Sequence, residues 1–212
     1  MLAIVLARND WREYDQIISL YTLDLGKVDV LARGVKKILS KNSSFLEPGN
    51  IVEAEVIPGK ELSHLGSVQL INASFGLKNK GQILPALSFS LHIFSCFVTH
   101  QEKDERLFKF LYGWLGFLEH NPAAPAVFLL DVFVVRLLSV IGFDIAAEEK
   151  VGKEIRKDLE LIRDGNWDMA ERLKFEGNEA QILHNVVFQF CLYHAQKRLD
   201  DWAKLAYFSG KC

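Results

Sequence analysis

The chain has 212 residues, half of them apolar and a quarter charged, with a formal net charge of −2. That composition suits a globular protein with a substantial core and excludes a disordered chain or one that holds nucleic acid by overall positive charge. Three cysteines, Cys96, Cys191 and Cys212, form no close pair, which argues against a disulfide framework or a four-cysteine zinc site and fits a reducing cytoplasm.

The amino terminus, Met1-Leu2-Ala3-Ile4-Val5-Leu6, is apolar, but Arg8, Asp10 and Arg12 cut the run short, so it reads as a strand and not as a signal peptide. Up to about Ser74 the pattern has period two. After this first strand, Ile17 to Thr22 predicts a second, and Leu25-Gly26-Lys27 supplies a hairpin turn in which glycine reaches positive φ without strain. Lys27 to Gly34 is the third strand. Glu47-Pro48-Gly49-Asn50 signals a turn ahead of Ile51 to Ile57, Pro58-Gly59 turns the chain again, and Ser67 to Ile71 is the fifth strand. Five short strands in this space predict a closed barrel of the OB type.

Where the third strand ends, the chain becomes basic. Arg33, Lys36, Lys37 and Lys41 place four positive charges within nine residues with no acid among them. Residues 1–80 carry ten Lys or Arg against nine Asp or Glu, so this is a local patch and not a bias of the whole domain. A charge cluster on a loop is often only a solvated surface. Gly34, however, allows close backbone approach to a phosphate, and four phosphate contacts would give a log–log salt slope of about −3 on single strands. Lys27 lies at the edge of this surface and Arg12 is a secondary candidate. Trp11 reads equally as a stacking platform for unpaired bases or as core, Tyr14 shares that ambiguity, and Tyr21 reads as core.

From residue 81 the period becomes helical, with helices expected near 83–100, 104–120, 124–141, 153–175 and 178–206. Asn121-Pro122 parts the second from the third, Gly142 stops the third, and Gly177 parts the last two. The apolar run from Ala123 to Phe143 is interrupted by Asp131 and Arg136, which makes it a buried helix and not a membrane span. Within it, Arg136 reads first as half of an internal salt bridge to a glutamate on another helix. The alternative is a clamp for the terminal carboxylate of a peptide whose phenylalanine fills a pocket beside Phe133. Lys197, Arg198 and Lys204 form a second basic cluster. The expected organisation is α+β, with a five-stranded OB-fold barrel over 1–80 followed by an all-α bundle over 81–212.

No nucleophile–base arrangement, phosphate-cradling glycine loop or metal-spaced histidine set is present as a motif, so no cofactor, no metal and no enzyme activity are expected. A hydrolase or nuclease would need convergent acids or a metal.

Val5-Leu6-Ala7-Arg8-Asn9-Asp10-Trp11-Arg12-Glu13-Tyr14-Asp15 resembles the opening strand and turn of the bacterial RecO family of recombination mediators. Leu25-Gly26-Lys27 through Ala32-Arg33-Gly34-Val35-Lys36-Lys37 is similar to that family's glycine turn and basic segment, and Phe45-Leu46-Glu47-Pro48 to its step into the fourth strand. Phe133 to Phe143 resembles the central helix and its terminating glycine, and Leu192 to Phe208 loosely resembles the last helix. The resemblance implies a non-enzymatic protein that binds and anneals single- and double-stranded DNA and helps load recombinase. Partners implied are RecR, the single-stranded DNA-binding protein and, indirectly, RecA, in a cytoplasmic, nucleoid-associated setting without a membrane. Two departures stand out. Gly142-Phe143-Asp144-Ile145 leads into Ala146 to Lys153 without the four-cysteine zinc module that many members carry, and Gly49 replaces the family's usual phenylalanine after Pro48. Such a chain could also have kept the fold as a docking module for a repair partner without strong DNA binding of its own.

Overall fold

In the computed structural model, residues 1–37, 42–73, 83–120, 125–148, 151–167 and 177–195 are described. The chain divides into two compact units, one of Met1–Asn79 with Phe97–Tyr112 and one of Lys80–Cys96 with Gly113–Cys212.

In the first unit, strands β1 (Leu2–Asp10), β2 (Gln16–Thr22), β3 (Gly26–Ala32), β4 (Ile51–Ile57) and β5 (Ser63–Asn72) close into a barrel in the order β1-β2-β3-β5-β4. The β3–β5 contact is parallel and the other pairings are antiparallel. This is the OB-type barrel that the alternation predicts. Its interior takes alanine and branched aliphatic side chains: Ala3, Val5, Ile18, Leu20, Val28, Val30, Ala32, Val52, Ala54 and Val68. Two loop residues, Val35 and Leu46, complete the filling.

The β2–β3 turn requires its glycine twice over. Gly26 has φ +67°, and a Cβ there would lie 2.0 Å from the Glu102 carbonyl oxygen. Thr22 Oγ1 closes the turn, accepting from the Leu25 N–H at 2.9 Å and donating to the Gly26 carbonyl at 3.0 Å. The change of period assigns residues 97–112 to the helical half, yet they pack on the barrel. The Gln101 N–H donates to the Lys27 carbonyl at 2.9 Å, Phe108 stacks on Tyr21, and the Tyr21 hydroxyl donates to the Asp104 carbonyl at 3.3 Å. Burial, with Asp104 and Glu102 nearby, pushes the Tyr21 phenol up to about 12. Gly26→Ala therefore forces a left-handed alanine and displaces this segment. We expect a loss of roughly 2–4 kcal/mol, read as a lower urea midpoint at unchanged m.

The described helices are α1 (Ile83–Phe97), α2 (Glu105–His120), α3 (Ala126–Val140), α4 (Lys153–Asp164) and α5 (Gly177–Ala195), with one 3₁₀ turn at Ile145–Ala147. None is long and apolar enough to cross a membrane. Leu129 to Leu138 of α3 are buried without a break, so this helix is the spine of the second unit. Gly142 ends it as expected, at φ +95°, with the Gly142 N–H on the Ser139 carbonyl at 3.0 Å and the Phe143 N–H on the Leu138 carbonyl at 2.8 Å. That bond pair is a Schellman closure. Trp114 is fully buried against Phe133 and Trp167, with ring centroids 5.0 and 5.7 Å away, and its indole N–H donates to Ser90 Oγ at 2.8 Å.

One helix is shorter than its pattern suggests. α4 stops at Asp164, capped at Gly165, where the sequence reading carries it to 175; residues 168–176 lie outside the described set.

The acid that interrupts the apolar run has a buried partner. Asp131 Oδ1 lies 2.9 Å from His184 Nδ1, joining α3 to α5. Burial pushes the Asp131 carboxyl up to about 6 against an ordinary 3.8, with His184 pulling the other way. Between those values the folded protein holds a proton that the unfolded chain has released. The contribution of Asp131 to stability therefore falls as pH rises from about 4 to about 6 and is level above that. Urea midpoints of the wild type relative to Asp131→Asn should trace this fall, on the order of 3 kcal/mol across the window.

Candidate nucleic-acid interface

One end of the barrel gathers five of the predicted binding residues, Trp11, Arg12, Arg33, Lys36 and Lys37. The hairpin register puts Asp10 opposite Gln16 and Gln16 opposite Ala32, so the ends of β1 and β3 flank the start of β2 in a single row. From this row two loops emerge, Trp11 to Asp15 and Arg33 to Lys37.

The second loop is not a continuation of β3. The strand ends at Ala32, and Gly34, at φ +65°, turns the chain, with the Lys37 N–H on the Gly34 carbonyl at 3.1 Å. This turn sends Val35 down into the barrel core and leaves Arg33, Lys36 and Lys37 exposed. The sorting of apolar from basic residues thus comes from a turn, whereas the sequence pattern carries the third strand on to Gly34.

Main-chain and side-chain bonds stitch the two loops together. The Gly34 N–H donates to Asp15 Oδ1 at 2.8 Å, and the Lys36 N–H donates to the Tyr14 carbonyl at 3.1 Å. Within the first loop, the Trp11 and Arg12 N–H groups both point to the Asp15 carbonyl, at 3.1 and 3.4 Å. Lys37 Nζ stands 5.8 Å from the centre of the Tyr14 ring, within cation–π range. Trp11 is 53% exposed and Tyr14 47% exposed. Hence Trp11 is a surface residue of the turn, while Tyr21 is core. Arg12 is exposed on the same loop.

The cations are not bare. Lys36 Nζ donates to Asp10 Oδ2 at 2.8 Å, and Lys36 together with Gln16 holds the Asp10 carboxyl below its ordinary range. Beside this edge, Arg8 pairs with Glu47, tying β1 to the loop before β4. In that loop Gly49 has φ +86° and its N–H donates to the Val5 carbonyl at 2.8 Å. A phenylalanine there would be strained in this conformation.

One predicted member stands apart. Lys27 is only 8% exposed and lies six residues from Arg33 along the strand, about 20 Å at the usual rise, so it is not part of the basic edge. The segment that includes Gln101 covers it. Lys41 lies outside the described residues, as do Lys197, Arg198 and Lys204.

In the second unit, neither residue of the suggested peptide clamp faces solvent. Phe133 is fully buried beside Trp114. Arg136 Nε donates to the Ile162 carbonyl at 2.8 Å and its Nη2 to the Gly165 and Asn166 carbonyls, the latter at 2.8 Å, with the guanidinium 4.2 Å from the Trp167 ring centre. Its partners are carbonyls at the end of α4, and the glutamate that the sequence reading preferred is not among them.

Among the described residues no three histidine, cysteine or acidic side chains come together to hold a metal. With three cysteines in all, the chain cannot supply a four-cysteine zinc module.

The sequence reading passed over Asp10, Asp15 and Gln16, which organise the edge. Their signal is positional: two acids bracket the turn of the hairpin that faces the basic loop.

Residues 1–74 match the family model described as the recombination protein O N terminal. The DNA repair protein RecO of Geobacter sulfurreducens is 27% identical over 146 residues, covering 69% of this chain and 59% of the relative. That of an Anaeromyxobacter species is 28% identical over 185 residues, 86% of this chain and 68% of the relative. The Clostridium novyi protein of the same name is 27% identical over 157 residues, 73% and 61%. The chain thus spans about three fifths of the length of the Geobacter and Clostridium relatives. The barrel thus matches the amino-terminal domain model of the RecO family, and the chain as a whole is similar to the RecO DNA repair proteins.

Proposed function

We propose that this chain is a non-enzymatic recombination mediator of the RecO type that holds DNA by its backbone along the edge formed by residues 11–15 and 33–37. One observation carries the reading: Arg33, Lys36 and Lys37 emerge on a turn bonded to the loop that exposes Trp11 and Tyr14. Cations beside exposed aromatic rings are the working parts of OB-type strand binding, in which phosphates supply affinity and rings take bases. Phosphate contacts carry no base information, so binding is indifferent to sequence. Annealing follows if two strands are held together, and loading of recombinase draws in RecR, the single-stranded DNA-binding protein and RecA.

The test is fluorescence anisotropy of a labelled single-stranded oligonucleotide titrated across salt. Three phosphate contacts give a log–log slope of about −2. Trp11→Ala should weaken binding about tenfold with little change in that slope, because stacking on one base is worth roughly 1–3 kcal/mol and releases no counterion. A Trp11 variant that binds as well as the wild type would remove the ring from the site.

A second reading is favoured by the acids. Asp10, Glu13 and Asp15 interleave with the cations of the two loops, and Lys36 is already engaged. On that reading the barrel docks a repair partner and binds DNA weakly. Absence of binding at low salt would select it.

A further inference from the structure

Asp10 is fixed from two sides. Its Oδ1 accepts from Gln16 Nε2 at 2.8 Å and its Oδ2 from Lys36 Nζ at 2.8 Å. Gln16 is buried, and the same amide leaves its own Oε1 without a hydrogen-bond partner. The amide is thus oriented to place the carboxylate, since a carboxylate can only accept. Lys36 reaches this oxygen from a different loop, 26 residues along the chain. A carboxylate oxygen 2.8 Å from an ammonium stands where a phosphate oxygen would stand, at the same distance and with the same charge sign.

We propose that Asp10 is a built-in competitor for the nucleic-acid phosphate: it occupies Lys36 in the free protein, and each binding event must exchange the carboxylate for a phosphate oxygen. The inference rests on the reading of this edge as the DNA surface. It names a residue that lowers affinity, where the cations and exposed rings of this edge raise it. Arg33 and Lys37 make first contact, and Lys36 is recruited at the cost of its ion pair. Both ends of the exchange are charge-assisted hydrogen bonds, so Lys36 adds little net affinity and the strand is easily released. That suits a protein that hands its strand on.

The experiment is a double-mutant cycle on Asp10→Asn and Lys36→Met, each read by anisotropy of the labelled single strand across salt. Asparagine keeps the shape and can still accept from Gln16, and thermal melts of all variants verify folding. The expected result is that Asp10→Asn binds up to about fivefold tighter at low salt, the factor set by an exposed ion pair. Its salt slope should stay at about −2, because under the exchange Lys36 meets a phosphate oxygen in both complexes and only the loss of its ion pair is spared. In the Lys36→Met background the same substitution should gain less than about twofold. An equal gain in both backgrounds overturns the exchange and leaves only general repulsion by an acid. A wild type that binds with salt sensitivity but is unmoved by Asp10→Asn overturns the role of Asp10 alone. If neither wild type nor Asp10→Asn binds at low salt, the DNA surface itself is lost and this inference falls with it.

Discussion

Reversing Arg33, Lys36 and Lys37 together to glutamate should lower affinity for a single-stranded oligonucleotide on the order of a hundredfold at low salt and flatten the salt dependence. Three phosphate contacts account for a slope of about −2, and charge reversal adds repulsion where attraction stood. The three residues do not contribute equally. Lys36 is held by Asp10 and Lys37 lies over Tyr14, whereas Arg33 is exposed at the start of the turn. Single reversals should therefore rank with Arg33→Glu the most damaging and Lys36→Glu the least. The fold tolerates the changes, because Val35 and Gly34, which anchor and shape the turn, are untouched. Salt-sensitive binding that survives the triple variant would move the DNA surface off the barrel end. Anisotropy titrations at several salt concentrations, with circular dichroism to verify the barrel, decide between these outcomes.

How much of this was legible in the sequence depends on the range of the interaction involved. Local features were readable. The hairpin glycine at Gly26, the stop at Gly142 and the alternation of the strands all follow from residue type and period. The position of Lys27 was not, because the cover over it comes from residue 101, more than seventy positions away. Nor does residue type reveal the acceptors of Arg136. A glutamate partner leaves a signature in the sequence, but a main-chain carbonyl can belong to any residue. The length of α4 was misread for a related reason. Trp167 keeps helical spacing after the helix has ended, because it is needed against Trp114 and Arg136. At the candidate site the cations were legible as a cluster. Their exposure depends on a turn at Gly34 that a period-two reading continues as strand.

Arg136→Ala should destabilise the helical unit by about 3 kcal/mol, one of the larger single-residue effects expected in the chain. The guanidinium is 7% exposed and donates to the Ile162, Gly165 and Asn166 carbonyls, which stand at the negative end of α4. Truncation leaves these carbonyls without their donor and removes a cation from the face of Trp167. Burial pulls the guanidinium below its ordinary value, yet an arginine stays charged at any physiological pH, so the loss is not titratable. For a domain of this size the expected fall in melting temperature is on the order of 10 °C. Arg136→Lys should recover less than half of it. An ammonium keeps the charge but cannot reach several carbonyls in one plane while lying flat on an indole. The opposite pattern identifies a residue reserved for a visiting peptide carboxylate: Arg136→Ala would melt like the wild type and lose only the peptide. The geometry favours the first outcome, because the donors that would meet a carboxylate already hold together the end of one helix and the middle of another.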